Sequence, residues 1–381
     1  MKARRLSLYV HIPFCRTVCA YCAFPVLGGR KRDHGPYVRA VLDETAMRWP
    51  GNAEVDTLFL GGGTPTELGP DGLDRLLDGL HERTGFRASA VETNCEANPE
   101  SATAETLEAA AQGGIQRLSI GAQTFDPAGL EVLTRTHETD APLRAVEAAA
   151  AAGLPRVSLD LIFAWPGQTR ASWERDLKTA AGTGVEHVSC YALTWEEGTA
   201  LSVRRGQGGA AKPIDETSEE ALFRMTRPLL AVHGLEGYEV SNFARSERAQ
   251  CRHNRAGWRG SDCLGVGLGS ASRLGFGRRI NARRLGAYLG AVQAGEDPVD
   301  EQETVVPEMA MAERMLVGLR MAEGVDALEV AQATGVDPMV GRERVLAEWE
   351  AAGWLVRNGT RLLLTDEGLL RADAAAQLFL T

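Results

Sequence analysis

The chain has 381 residues, and 41 Lys and Arg against 51 Asp and Glu give a formal net charge of −10. This length allows two or three domains around a sizeable core, and 44% hydrophobic with 24% charged residues excludes a disordered tail, a collagen-like chain or a disulfide scaffold. The acidic surplus argues against a general nucleic-acid binder, and seven cysteines are too few for a secreted disulfide framework.

The basic start Met1-Lys2-Ala3-Arg4-Arg5 is followed by Leu6–Phe14, an apolar stretch broken by His11 and Pro13. No small-residue cleavage site follows it, so no export signal is expected. No window reaches 18 uninterrupted apolar residues, so no transmembrane segment is expected and the cytoplasm is the expected compartment.

Strands are predicted at Leu6–Ile12, Val55–Leu60, Val91–Ala97, Arg117–Gln123, Val157–Phe163 and His187–Leu193. Helical patterns lie between and after them, at Tyr37–Trp49, Gly72–Arg83, Ala104–Gln112, Pro142–Ala152, Ser172–Ala181 and Glu219–Val232. Six strand-then-helix units at near-uniform spacing predict an α/β protein, a partial six-unit (βα) barrel of the TIM-like kind. Its chemistry belongs on the loops after the strand C-termini. Gly206–Ala211 reads as a loop. The barrel is expected to occupy 1–235, an irregular extension 236–300, and a separate small domain 301–381. In that last part helices are predicted at Met309–Met321, Ala327–Thr334 and Val340–Ala352. Trp354–Val356 and Arg361–Leu364 form a hairpin around Asn358-Gly359. The pattern is winged-helix-like, but without a basic recognition helix it reads as a packing or lid domain.

The first strand runs into Cys15-Arg16-Thr17-Val18-Cys19-Ala20-Tyr21-Cys22. Cysteines at C-x3-C-x2-C can wrap one metal centre, and thiolates are natural iron–sulfur ligands. Held by three cysteines, a four-iron cluster keeps one iron open to a substrate or cofactor. A structural zinc site with His11 or His34 as fourth ligand is the competing reading, although no second ligand pair lies nearby. Cys95, Cys190, Cys251 and Cys263 are scattered and read as packing residues. The second strand ends in Gly61-Gly62-Gly63-Thr64-Pro65, where glycines let backbone N–H and C=O groups approach a ligand. Such a loop is often a mere turn, but here it falls on the same barrel end as the cysteines.

A strand carrying Tyr9-x-His11-Ile12-Pro13-Phe14-Cys15, then the cysteine spacing, then Gly-Gly-Gly-Thr-Pro, resembles the radical S-adenosylmethionine superfamily. More narrowly it resembles the branch holding oxygen-independent coproporphyrinogen III oxidase and the bacterial heme chaperone family. The likeness extends through Glu96-Ala97-Asn98-Pro99, Ser119–Phe125, Leu159–Phe163, Tyr238–Ala244 and His253-Asn254 into the C-terminal part. It implies a [4Fe–4S] cluster on Cys15, Cys19 and Cys22, with S-adenosylmethionine on the open iron. Tyr9, Tyr21, Gly62, Gly63 and Thr64 match positions that line the cofactor in the family, and Glu96, Gln123, Arg135 and Asp160 match further binding positions. Taken singly, Arg135 is a surface charge and Gln123 a strand cap. An electron from the reduced cluster would split a carbon–sulfur bond to give methionine and a 5′-deoxyadenosyl radical, so an electron donor is implied.

Ala23-Phe24 stands where the oxidase has an additional cysteine, and only 14 residues precede Cys15 where the oxidase has a longer extension. Both features favour the chaperone side. His253-Asn254-Arg255-Ala256-Gly257-Trp258 resembles the chaperones' heme-linked H-N-x-x-Y-W motif, which makes His253 the candidate axial ligand. Arg252, Arg255 and Arg259 would meet anionic propionates; alternatively, His253 is a structural histidine. The copy departs from the pattern at Gly257, at Ser272 (a His in relatives) and at Ala164-Trp165 (Gly-Leu in relatives). The resemblance thus implies a heme chaperone that binds heme or porphyrin and serves heme-requiring apo-proteins, with homodimerisation open. The alternatives are the oxidase, a methyltransferase of the same branch using a second S-adenosylmethionine, and a non-catalytic heme carrier.

Overall fold

The computed structural model describes residues 4–29, 33–206 and 212–380. Six parallel strands stand side by side in chain order: Arg4–Ile12, Ala53–Gly62, Glu92–Ala97, Arg117–Gln123, Arg156–Phe163 and His187–Ala192. The crossover helices include Gly35–Arg48, Gly69–Thr84, Ala104–Gln112, Ala141–Ala151 and Arg170–Gly182, and Glu216–Ala231 follows the sixth strand. Local chemistry sets their starts: the Thr103 side chain caps Ala104–Gln112, and Thr169 forms a capping box with Ser172. The six-unit α/β barrel read from the sequence is the fold. Of the expected 206–211 loop, Gly206 closes the helix Ala200–Gly206 and the rest lies outside the described residues.

The strands alternate in an unusual sense. Leu8, Val10, Leu58, Leu60, Leu118, Ile120, Leu159 and Leu161 belong to the buried core shared with the helices. Their neighbours Tyr9, Asn94, Glu96, Arg117, Ser119, Ser158, Asp160, His187 and Ser189 line the interior cavities of the barrel. Barrel interiors are ordinarily filled with branched apolar side chains. This one is polar.

The segment expected to be irregular after residue 236 is in fact ordered and extends the sheet on both flanks. Cys263–Val266 pairs parallel to the first strand, then Ala271–Leu274, Gly277–Asn281 and Val299–Thr304 continue antiparallel to the outer edge. On the other side Asn242–Ala244 and Glu236–Gly237 complete a twelve-stranded sheet. These strands are two to six residues long, so periodicity could not announce them. Buried Glu44 anchors the extension. It accepts hydrogen bonds from Arg48 (2.7 Å), Asn281 (2.7 Å), Tyr288 (2.7 Å) and the Gly267 N–H (2.8 Å). Ser272 sits inside that joint, bonded to Arg48 at 3.0 Å and the Gly265 N–H at 3.0 Å.

The C-terminal helices Pro307–Leu319, Ala327–Thr334 and Glu343–Ala351 carry their own core of Met311, Met315, Leu319, Leu346 and Leu362 among others. The expected two-stranded wing has three strands, because Val325–Asp326 joins Arg361–Leu364 and Leu355–Asn358. Among the described residues no helix is long and apolar enough to cross a membrane.

Candidate functional site

Two cavities share the barrel axis. An upper chamber of about 720 Å³ opens at the strand C-termini, and a lower one of about 330 Å³ lies toward their N-termini. Glu96, Ser119, Asp160 and Tyr191 line both, so the interior is one polar column in two parts.

The upper chamber gathers most of the candidate residues from the sequence. Cys15, Cys19, Cys22, Tyr21, Gly62, Gly63, Thr64, Glu96, Gln123, Arg135 and Asp160 all stand on its wall. The glycine loop is shaped by lack of space. At Gly62, with φ +106°, a Cβ would lie 2.3 Å from the His11 ring, and at Gly63 one would lie 2.7 Å from the Pro13 carbonyl carbon. Gly63 and Thr64 can therefore donate their backbone N–H groups to the Ile12 and Phe14 carbonyls at 2.8 Å, which locks the loop beside the cysteine strand. Gln123 is a non-glycine residue at φ +66°, where the fourth and fifth strands slip register. Backbone held in that region is strained and collects at functional sites. Ala164, at φ +63°, likewise takes a conformation better suited to glycine.

The cysteines fit a polynuclear cluster. All three are free and face the chamber together. They lie near enough for charge on one to bear on another's ionisation, and three thiolates on one loop suit a cluster in which each takes a separate iron. His11 is unsuited to zinc, since Nδ1 meets the Tyr9 hydroxyl and Nε2 the Pro25 carbonyl, each at 3.1 Å. Burial pushes the Cys15 thiol up to about 11 and raises Cys22 as well. Metal loading must therefore displace protons from the loop. Arg135 donates to the Cys19 sulfur (3.3 Å), to Asn98 (2.6 Å) and to the Gly121 carbonyl (2.7 Å), while its buried Nε–H has no partner among the described residues. An orphan cationic donor beside the loop suits a sulfide or a carboxylate.

Glu96 accepts the Gly62 N–H at 3.1 Å. Burial and then the charge of Asp160 push its carboxyl up to about 7. It ionises near 4.5 when unfolded and near 7 when folded, so its contribution to folding is full at low pH and is lost as pH rises between those values. Water in the chamber screens part of this. Glu96→Gln is expected to stabilise the metal-free protein by about 2 kcal/mol at pH 8, and by nothing at pH 4. Urea unfolding at both pH values checks this; equal effects would show that the carboxyl is not held protonated.

Tyr9 and His253 fall elsewhere. Both line the lower chamber, together with Phe59 and Asn94. The His253 ring lies 4.9 Å from that of Phe59, and its Nδ1 is 2.8 Å from the Thr57 hydroxyl. Burial lowers its pKa to about 4, which keeps the imidazole neutral. The short helix Arg252–Trp258 that carries it is anchored by buried Glu92, which accepts the backbone N–H of Arg252 at 2.8 Å and of His253 at 3.2 Å. Arg255 and Arg259 do not face an open propionate site. Both pair with Glu323, at 3.0 and 2.5 Å, and tie this helix to the C-terminal domain. No sequence pattern points to Thr57 and Glu92, nor to Arg320, Leu369 and Asp373, which bring the C-terminal domain to the upper chamber.

The family model for the radical SAM superfamily matches residues 9–180, and that for the HemN C-terminal domain matches residues 305–371. The heme chaperone HemW of Mycobacterium tuberculosis is 33% identical over 386 residues, spanning 100% of this chain and 96% of that protein. HemW of Bacillus subtilis is 30% identical over 376 residues, covering 98% and 99%, and HemW of Escherichia coli is 31% identical, covering 100% and 99%. Among solved structures, the radical SAM enzyme coproporphyrinogen III oxidase of Escherichia coli superposes with a TM-score of 0.86 at 24% identity, covering 100% of this chain and 91% of that one. That likeness is one of fold.

Proposed function

For a chain that belongs to the HemW family within the radical SAM superfamily, we propose the role of a heme chaperone that binds heme and passes it to heme-requiring apo-proteins. The observation that carries this reading is the end-to-end likeness to heme chaperones, which spans the whole chain.

Cys15, Cys19 and Cys22 would hold a [4Fe–4S] cluster, the cofactor type of the superfamily together with S-adenosylmethionine. When bound and reduced, such a cluster supplies an electron to cleave S-adenosylmethionine. The chain's own residues prepare the chamber for this. Gly62 and Gly63 let the loop pack against the cysteine strand and put backbone on the chamber wall, and Glu96 and Asp160 offer carboxylates to hydroxyl or sulfonium groups. Arg135 offers a cation, and the C-terminal domain covers part of the mouth. His253, its imidazole kept neutral by burial, would offer a ring nitrogen to the heme iron. Free cysteines throughout agree with the cytoplasm as the proposed compartment.

The test is hemin titration of wild type beside His253→Ala. Wild type should show a saturable Soret shift at one heme per chain, and His253→Ala should lose most of it. A wild type without a Soret change overturns the chaperone reading. Release of CO2 from coproporphyrinogen would then identify an oxidase, and formation of S-adenosylhomocysteine a methyltransferase.

A further inference from the structure

We propose that Thr57 is the positioning residue for His253: it fixes the imidazole as the Nδ1-protonated tautomer and so presents the bare Nε2 to the lower chamber. The inference deepens the heme reading and rests on it for its functional meaning, though its geometry does not depend on heme.

Thr57 is fully buried in the second strand. Its hydroxyl donates to the Ser7 hydroxyl oxygen at 2.9 Å. A hydroxyl has a single hydrogen, so toward His253 the Thr57 oxygen can only accept. The partner 2.8 Å away is Nδ1, which must therefore carry the proton. Neutral imidazole has one N–H, so Nε2 is left with its lone pair. Among the described residues no group hydrogen-bonds Nε2, while the ring stands on the chamber wall.

The rest of the ring's freedom is removed by neighbours. Phe59 lies against its face at an interplanar angle of 33°. Glu92 holds the backbone N–H of His253 and of the residue before it. The ring is thus fixed in plane, in position and in tautomer before any metal arrives. Histidine ligands owe much of their affinity to such a partner on the second ring nitrogen. Nothing in the strand pattern announces Thr57, since a buried threonine in a β-strand is unremarkable.

Two readouts test this. In apo protein labelled with ¹⁵N-histidine, long-range ¹H–¹⁵N correlation should show His253 with Nδ1 protonated and Nε2 bare. Thr57→Val keeps the shape but removes the acceptor, and should convert His253 largely to the Nε2-protonated form. Thr57→Ser should restore the wild-type tautomer. In hemin titration, Thr57→Val should bind about tenfold more weakly with a displaced Soret band, and Thr57→Ser should bind as wild type does. Matching circular dichroism among the three proteins separates positioning from misfolding. An Nε2-protonated His253 in the wild type, or a Thr57→Val protein with unchanged tautomer and unchanged affinity, overturns the proposal. If His253→Ala binds hemin as wild type does, the heme role of His253 fails, and a tautomer shift in Thr57→Val still assigns Thr57 as the residue that orients it.

Discussion

Anaerobically reconstituted Cys19→Ala protein is expected to lose its iron–sulfur absorption entirely. Three cysteines within eight residues bring their thiols together on the wall of the upper chamber. With one iron of four already lacking a protein ligand, loss of a second anchor leaves the cluster on two. Cys19 is the most informative of the three because the Arg135 guanidinium donates to its sulfur, so the change removes an iron ligand and also one of that cation's three acceptors. The apo variant should still fold, since Cys19 is only partly buried in a surface loop. Cys263→Ala is the control: that thiol lies on the added parallel strand, outside the chamber wall, and its loss should leave iron and sulfide content at the wild-type level. Full visible absorption in Cys19→Ala would show that the loop is not the cluster site.

Glu92→Ala should give the largest loss of stability, about 3–5 kcal/mol, because it removes one partner of a buried ion pair and leaves the others uncompensated. Glu92 is fully buried, and its Oε2 accepts Arg117 at 3.4 Å and Arg156 at 3.2 Å. Its other oxygen receives the Asn94 amide and the two N–H groups that start the His253 helix. One truncation thus leaves two arginines and a helix N-terminus without their acceptor. Glu92→Gln keeps an oxygen for the N–H groups and should retain more of the stability. Urea unfolding measures the difference; a Glu92→Ala loss below about 1 kcal/mol would mean that the arginines find other partners.

The strand-and-helix alternation and the cysteine and glycine loops were legible because each is local: a period, a spacing, a run of one residue type. Pairings between distant strands were not. Glu92 reads in the sequence as one more polar residue in a strand, and its partners lie 25, 64 and 160 positions away. The added strands escaped notice because two to six residues cannot establish a period. The same shortness hid Val325–Asp326 and left the wing one strand short. The arginines near His253 illustrate the opposite error, where local composition suggested an anion site. Glu323, 64 residues beyond Arg259, neutralises them. The alternation of polar and apolar residues in the six strands was visible all along, but the ordinary assumption that a barrel interior is apolar concealed which face was which.

The sheet remains open, with Val299–Thr304 as its outer strand, and this bears on how two copies could meet. A free strand edge invites pairing with the same edge of another chain. Here Asp300, Glu301 and Glu303 put three carboxylates on six residues, all exposed, so two such edges brought together would oppose like charges across a ladder. Self-association through this edge is disfavoured by construction, and a homodimer of this protein has to be sought on another face.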